Sequence, residues 1–200
     1  MNRPTAAALP LTAGGGAQTW MATLNGRWHK AALLTFLAVV IGHWTEHVFQ
    51  AYQVYGMGMP PSHAMGAMGM LYPWLIRTEW LHFGYAVVMF VGLYLLRSGF
   101  VGRAETWWRI SLYIQAWHLV EHSLLFVQAS THPFWGKAVP TSILQLVFPR
   151  MELHLFYNTI VFIPMVVAML YHRRPSPAEA AAMTCSCGHA HAFRHAPHAA

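Results

Sequence analysis

The sequence predicts an all-α integral membrane protein, folded as a bundle of four transmembrane helices. Hydrophobic residues make up 56% of its 200 residues and charged residues only 9%, whereas soluble domains average about 25% charged residues. Four segments reach the length of about 20 mostly apolar residues that a spanning helix requires. Turn-forming stretches that contain glycine, proline or serine separate the four. This composition excludes an ordinary soluble domain.

The four transmembrane helices are predicted at residues 31–54, 72–97, 105–129 and 148–172. The breaks between them read GMGMPPSHAMGAMGM, RSGFVGR and STHPFWGKAVPTS. Pro73 and Pro149 fall near the starts of the second and fourth helices, where a missing N–H costs least. Residues 31–172 then form one transmembrane domain. A flexible cytoplasmic leader (1–30) precedes it, and a disordered, Cys/His-rich cytoplasmic tail (173–200) follows it.

The basic residues predict the orientation of the helices in the membrane. They concentrate before the first helix, around the second loop and after the fourth helix, whereas the first and third loops carry only Lys137. Because cytoplasmic segments carry the excess of Lys and Arg, both termini are predicted to face the cytoplasm. The expected location is the cytoplasmic membrane, with multiple passes through the lipid bilayer. The basic residues do not gather on one face, so no nucleic-acid partner is predicted.

The motif HxxEH occurs twice, in the first and third predicted helices. The copies lie at residues 43–47 and 118–122, and a glutamine follows each, Gln50 or Gln128. The next helix opens with RTEWLHFGY after the first copy and with RMELHLFY after the second. The spacing of this second match is imperfect, but the order of residue types is the same. The chain is therefore predicted to contain two related helical hairpins.

The polar residues of these helices predict a metal site. Residues three or four apart share a helix face. A rise of 1.5 Å per residue places six histidines in the outer half of the membrane, namely His43, His47, His82, His118, His122 and His154. Ionisable groups inside a membrane are penalised unless they are paired or bind an ion. The predicted ligands are His43, Glu46, His47, Glu79, His82, His118, Glu121, His122, Glu152 and His154. The residues predicted to orient them are Gln50, Tyr85, Gln128, Tyr157 and Asn158.

This ligand set favours iron or copper, with zinc or manganese as alternatives, because imidazole and carboxylate suit these ions. Paired His and Glu motifs on facing helices build dinuclear sites in four-helix bundles. The function predicted first is a dinuclear centre that supports redox or oxygen chemistry, and the protein could then be a membrane oxidoreductase. A redox partner or a metal-delivery protein is expected with it. The sequence carries no sign of the oligomeric state.

Three other functions stay open. A Met-rich loop and the Cys/His tail could collect ions for copper or other transition-metal transport, because thioethers and thiolates select soft ions. Two of the histidines could instead bind haem b, or the cluster could be a hydrogen-bonded seam in an accessory structural subunit. The accessory metal ligands predicted in loop and tail are Met57, Met59, His63, Met65, Met68, Met70, Cys185, Cys187, His189 and His191.

Overall fold

The computed structural model describes residues 15–187, in which all regular structure is helical and no strand occurs. Four long helices dominate. The α-helices are α1 (Gly15–Asn25), α2 (His29–Ala51), α3 (Gly66–Leu71), α4 (Pro73–Arg77), α5 (Trp80–Leu96), α6 (Gly102–Ser130), α7 (Arg150–Arg173) and α8 (Pro177–Ala182). A π-helical turn (Tyr52–Gly56) extends α2, and 3-10 turns lie at Arg97–Gly99 and Leu144–Leu146.

Helix α6 is the centre of the bundle and packs most extensively against α7 and α5, while α2 contacts α5 and α7. The apolar core lies in one half of the bundle, beside the ends of α2 and α7 that carry His29 and His172. Its largest fully buried side chain is Trp108, whose indole Nε1 donates a hydrogen bond to the Leu93 carbonyl over 2.8 Å. The core residues are Leu33, Phe36, Val40, Met89, Leu93, Leu96, Phe100, Ala104, Trp108, Leu112, Val161, Met165 and Ala168.

Three helical segments of the described chain are long and apolar enough to cross a membrane. They are His29–Gly56, Trp80–Gly99 and Arg150–Arg173, with mean hydropathies of 1.4, 1.4 and 1.9. Helix α6 is longer, at 29 residues, but does not reach the same hydropathy. The buried polar side chains along this helix, including Gln115 and Glu121, lower the average. The fold is thus consistent with a membrane protein, and the fourth span stays a prediction.

The second long helix begins at Trp80 rather than at residue 72. Glu79 has a φ of 59°, a left-handed conformation that a right-handed helix does not accommodate. The segment before it forms the separate short helices α3 and α4. The other three predicted helices lie within a few residues of their observed bounds. The break at Glu79 was not visible in hydropathy, because Arg77, Thr78 and Glu79 are a short polar interruption between two apolar stretches.

Parts of the predicted leader and tail are helical. Helix α1 lies within residues 1–30, and its Asn25 donates a hydrogen bond to the Leu95 carbonyl over 2.8 Å. Helix α8 lies within residues 173–200 and has a capping box made by Ser176 and Glu179. Arg103 binds the Glu179 carboxylate at 2.9 Å. The guanidinium and the capping hydrogen bonds hold the pKa of Glu179 well below its usual range, so this contact keeps its charge at neutral pH.

We expect Trp108→Ala to destabilise the protein by about 3 to 5 kcal/mol, the usual range for removing a buried aromatic side chain. Trp107 is the matched control, because it is the neighbouring residue on the same helix and is 36% exposed. Unfolding of each variant in mixed detergent and denaturant measures the change. Equal destabilisation by Trp107→Ala and Trp108→Ala would contradict the packing described here.

Candidate metal centre

Six of the histidines in the four long helices come together in one buried cluster. Their relative exposures range from 2% to 7%. In α2 the rings of His43 and His47 lie one helical turn apart, with centroids 4.5 Å from each other, and in α6 the rings of His118 and His122 lie 4.4 Å apart. Helices α5 and α7 contribute His82 and His154. The sequence analysis had predicted one common depth in the bundle for these six residues, and their rings do lie side by side.

His154 is the central member of the histidine cluster. Its ring centroid lies 5.2 Å from that of His122, 5.4 Å from that of His82 and 5.6 Å from that of His47. His82 also stacks on His122, with 5.9 Å between centroids and 4° between planes. These contacts join the pair from α2 to the pair from α6. By their order in the chain the six histidines form two sets of three, here called triads, each with two histidines from one helix and one from the next long helix: His43, His47 and His82, and His118, His122 and His154.

Hydrogen bonds at the edge of the cluster orient two of the rings. His47 Nδ1 lies 3.1 Å from Gln50 Oε1, and His154 Nδ1 lies 2.9 Å from the Arg150 carbonyl oxygen. Both oxygens only accept, so each Nδ1 carries the proton and donates it. Each Nε2 is then left with a lone pair, which is the arrangement that a metal-binding histidine needs.

Several ring nitrogens of the cluster are buried without a hydrogen-bond partner. These are His43 Nδ1, His82 Nδ1, His118 Nδ1, His122 Nδ1 and His154 Nε2. A buried polar atom left unsatisfied costs about 1–3 kcal/mol, so five in one cluster are a substantial penalty. A cation that binds imidazole nitrogen would remove that penalty, and the donor atoms present suit copper, iron or zinc.

Tyrosine rings cover both ends of the cluster. Tyr85 lies against His43 with 4.4 Å between centroids, and Tyr157 lies against His118 with 4.3 Å between centroids. The Tyr157 hydroxyl accepts a hydrogen bond from Trp117 Nε1 over 2.7 Å. Asn158 donates to the His154 carbonyl over 2.8 Å and also contacts His43. These residues were predicted to orient ligands, and the structure places all three beside histidines.

The glutamates of the two HxxEH motifs turn away from the histidines and bind the loops. Glu46 accepts hydrogen bonds from the backbone N–H groups of Ala67 and Met68, over 3.1 and 2.9 Å, at the start of α3. Glu121 accepts from the Leu144 N–H and the Ser142 hydroxyl, both over 2.9 Å. Each carboxylate thus stabilises the first turn of a helical segment in the loop that follows it, a favourable place for an anion.

A glutamine two turns beyond each motif makes a second anchor. Gln53 Oε1 accepts from the Gly66 N–H over 2.8 Å, and Gln128 Oε1 accepts from the Thr141 N–H over 3.2 Å. Gln53 was missed at the sequence level, where Gln50 was matched to Gln128 instead. The signal was present, because Gln53 and Gln128 stand at the same distance from their HxxEH motifs whereas Gln50 does not.

The remaining predicted carboxylate ligands occupy two different environments. Glu79 is buried, binds the Arg150 guanidinium over 2.6 Å and lies 3.5 Å from His82 Nδ1, so it is the carboxylate beside the cluster. Glu152 is exposed and accepts a hydrogen bond from the Tyr55 hydroxyl over 2.6 Å. Its position outside the cluster agrees with its rotation of about 200° from His154 around the helix.

The Met-rich loop between α2 and α4 is held to the bundle by Glu46 and Gln53. Met68 donates its backbone N–H to Glu46, and Met70 Sδ accepts from Gln53 Nε2 over 3.3 Å. Met57, Met70 and His63 are exposed, and Met59 and Met65 are partly buried. These contacts hold the loop against the end of α2, and a metal-binding role for its thioethers stays a prediction.

The tail cysteines lie at the other end of the bundle. Cys187 Sγ and one ring nitrogen each of His29 and His172 all lie within 4.8 Å of one another. Within residues 15–187 this is the one group of three or more His, Cys, Asp or Glu residues whose ligand atoms lie that close together. The ligand atoms of the six-histidine cluster are therefore spaced more widely. Cys185 is buried beside the same group. His189 and His191 lie outside the described residues.

The fold and the site together define a helical protein with candidate membrane spans and a buried cluster of histidines. Comparisons with protein-family models, with curated proteins and with solved structures found no match.

We expect Gly66→Ala to loosen the Met-rich loop more than Gly58→Ala does. Both glycines have a φ of 69°, so an alanine adds similar backbone strain at each. A Cβ at Gly66 would also overlap Glu46 Oε1, whereas at Gly58 it would meet no atom within 4 Å. Limited proteolysis of residues 57–72 should be faster in Gly66→Ala alone. Equal cleavage of both variants would show that Glu46 does not anchor the loop.

Proposed function

We propose that this protein is an integral membrane metalloprotein whose six clustered histidines hold two transition-metal ions, and that the centre supports redox or oxygen chemistry. The observation that carries the proposal is the set of five buried, unpartnered ring nitrogens among six touching imidazoles. An accessory protein that used the cluster only as a polar seam would be expected to pair all of the ring nitrogens, whereas one imidazole–imidazole hydrogen bond forms, between His118 Nε2 and His122 Nε2 over 3.1 Å in the described residues.

The two triads supply three imidazole donors for each ion. Catalytic sites with three protein ligands keep a further coordination position for water or substrate, so three histidines per ion leave room for chemistry. The pair in each triad is spaced by four residues, which places both rings on one helix face. The third ring comes from the helix that follows, so both hairpins would contribute equally to the centre.

The position of the carboxylates favours copper ahead of iron. Dinuclear iron sites in four-helix bundles take several glutamate ligands. Glu46 and Glu121 are engaged by backbone N–H groups of the loops, and Glu152 is exposed. Only Glu79 lies beside a histidine. A donor set made almost entirely of imidazole suits copper, zinc, iron and nickel, and of these copper and iron carry out redox chemistry.

The membrane arrangement that we propose has α6 as a fourth span and both termini in the cytoplasm. Helix α6 packs between α5 and α7, two of the three apolar candidate spans. Its polar residues His118, Glu121 and His122 are buried, so they would not meet lipid. The excess of basic residues at the end of the bundle that carries the chain termini supports this orientation. The histidine cluster would then lie in the outer half of the membrane.

The bound ions would supply electron transfer and dioxygen binding, and the chain's residues would prepare the site for them. Gln50 and the Arg150 carbonyl hold the protons of His47 and His154 on Nδ1, which keeps each Nε2 free. Tyr85 and Tyr157 cover two rings, and the loops fixed by Glu46 and Glu121 limit access of water. A small or lipid-soluble substrate could approach from the membrane face.

Metal transport is the second candidate, because a second group of metal-ligand atoms lies at the other end of the bundle. The apolar core argues against a path between the two groups. Phe36, Leu93 and Trp108 belong to this core and are buried between the two ends. A conduit for ions requires polar ligands or water along its length. We therefore favour a fixed metal centre over metal transport.

We expect His47→Ala/His122→Ala, which removes one ligand from each triad, to lose most of the about two ions per chain that the otherwise identical Cys185→Ser/Cys187→Ser protein binds. His132→Ala is the matched control, since His132 is an exposed loop histidine. Both should be made in a Cys185→Ser/Cys187→Ser background and analysed by elemental analysis with an optical spectrum. Unchanged metal content in the double histidine variant, or a haem Soret band, would contradict the proposal.

A further inference from the structure

The group of ligand atoms at the opposite end of the bundle comes from three separate parts of the chain. His29 is the first residue of α2, His172 lies in the last turn of α7, and Cys185 and Cys187 follow α8. At 1.5 Å per residue, the group lies about 21 Å along α2 from His43 and about 27 Å along α7 from His154. It is therefore separate from the six-histidine cluster.

Hydrogen bonds hold the cysteine segment against the start of α2. The backbone N–H of Ser186, the residue between the cysteines, donates to the Gly26 carbonyl over 2.8 Å. The Ser186 hydroxyl accepts from the Lys30 N–H over 3.2 Å. Earlier in the segment, Glu179 binds Arg103 at 2.9 Å. The two thiols are thus brought to the histidines by contacts that do not involve the thiols themselves.

Three of the four side chains lie close enough together to bind one ion, and the fourth lies beside one of them. Ligand atoms of His29, His172 and Cys187 all lie within 4.8 Å of one another, and Cys185 Sγ lies 3.5 Å from His172 Nε2. Around a tetrahedral zinc ion with usual bond lengths, such atoms are roughly 3.3 to 3.8 Å apart. Side-chain movements of about 1 Å would bring His29, His172 and Cys187 to that geometry, and rotation of the neighbouring Cys185 side chain would supply the fourth ligand.

The buried and unpartnered imidazole of His29 is a second observation that points to a ligand. The side chain is fully buried, and neither of its ring nitrogens has a hydrogen-bond partner in the described chain. His172 Nδ1 is buried and unpartnered as well. The ring of His29 is enclosed by Phe100, with 5.3 Å between centroids, and by Gly99, where a Cβ would overlap the imidazole. A buried imidazole in this state needs a cation or another partner to offset its lost hydration.

We propose that His29, His172, Cys185 and Cys187 form a second, structural metal site for a divalent cation of the zinc type. Two thiolates and two neutral imidazoles are a typical closed tetrahedral zinc set. Two thiolate charges balance the charge of the ion, which makes the site suitable for burial. Because the ion would hold the C-terminal segment against the beginning of α2, the site stabilises the end of the bundle that carries His29 and His172. It does not depend on the function proposed for the six-histidine cluster.

Cobalt(II) titration of the full-length, metal-free protein tests this site, because thiolate-to-cobalt charge transfer gives an absorption band that an all-imidazole site lacks. We expect one Co²⁺ per chain to produce the band. Cys187→Ser and His29→Ala/His172→Ala should each abolish it. His47→Ala/His122→Ala should keep it, because those residues belong to the other cluster.

His189→Ala/His191→Ala is the matched control, since it removes two histidines next to the cysteines in the sequence and leaves all four proposed ligands in place. Retention of the band in this control and its loss in His29→Ala/His172→Ala would support the site. Retention of the band in a folded His29→Ala/His172→Ala protein would overturn it, and so would a Cys185–Cys187 disulfide found by thiol titration. Size-exclusion chromatography in detergent identifies which variants are folded.

Discussion

Burial of six imidazoles between four helices is the constraint on which the rest of this structure depends. Imidazole nitrogens are costly to bury without partners, and five nitrogens of this cluster lack a hydrogen-bond partner. The protein encloses them further with Tyr85, Tyr157 and two loops tied to Glu46 and Glu121. Burial of these nitrogens destabilises the fold at one end of the bundle, and the apolar core around Trp108 stabilises it at the other end. The metal binding that we propose would offset this cost.

The histidines of the site could be predicted from the sequence because helix geometry alone fixes their level and face. His43 and His47, or His118 and His122, are four residues apart, and their depth follows from counting. The roles of Glu46 and Glu121 could not be predicted in the same way. Their partners are backbone N–H groups some twenty residues later. The sequence has no periodic pattern that predicts where a loop folds back onto the helix before it. Glu79 was predicted beside His82, but the helix break at its own position was not.

The two ends of the bundle differ in the chemistry that they offer. One end has nitrogen donors from six histidines and exposes none of them beyond 7%. The other end has two histidines and two thiols, the softer set, joined to the C-terminal segment. The chain was predicted to keep its cysteines in a disordered tail, and the structure instead places Cys185 against His172. A spacing of one residue between cysteines does not reveal which distant histidines they meet.

The most direct test of the six-histidine centre is X-ray absorption at the metal edge of the Cys185→Ser/Cys187→Ser protein, purified with its own metal. The account predicts a first shell of imidazole nitrogen at about 2.0–2.1 Å, with a second metal at roughly 3.5–4 Å. A shell dominated by carboxylate oxygen, or a spectrum without the multiple scattering that imidazole rings produce, would contradict the account.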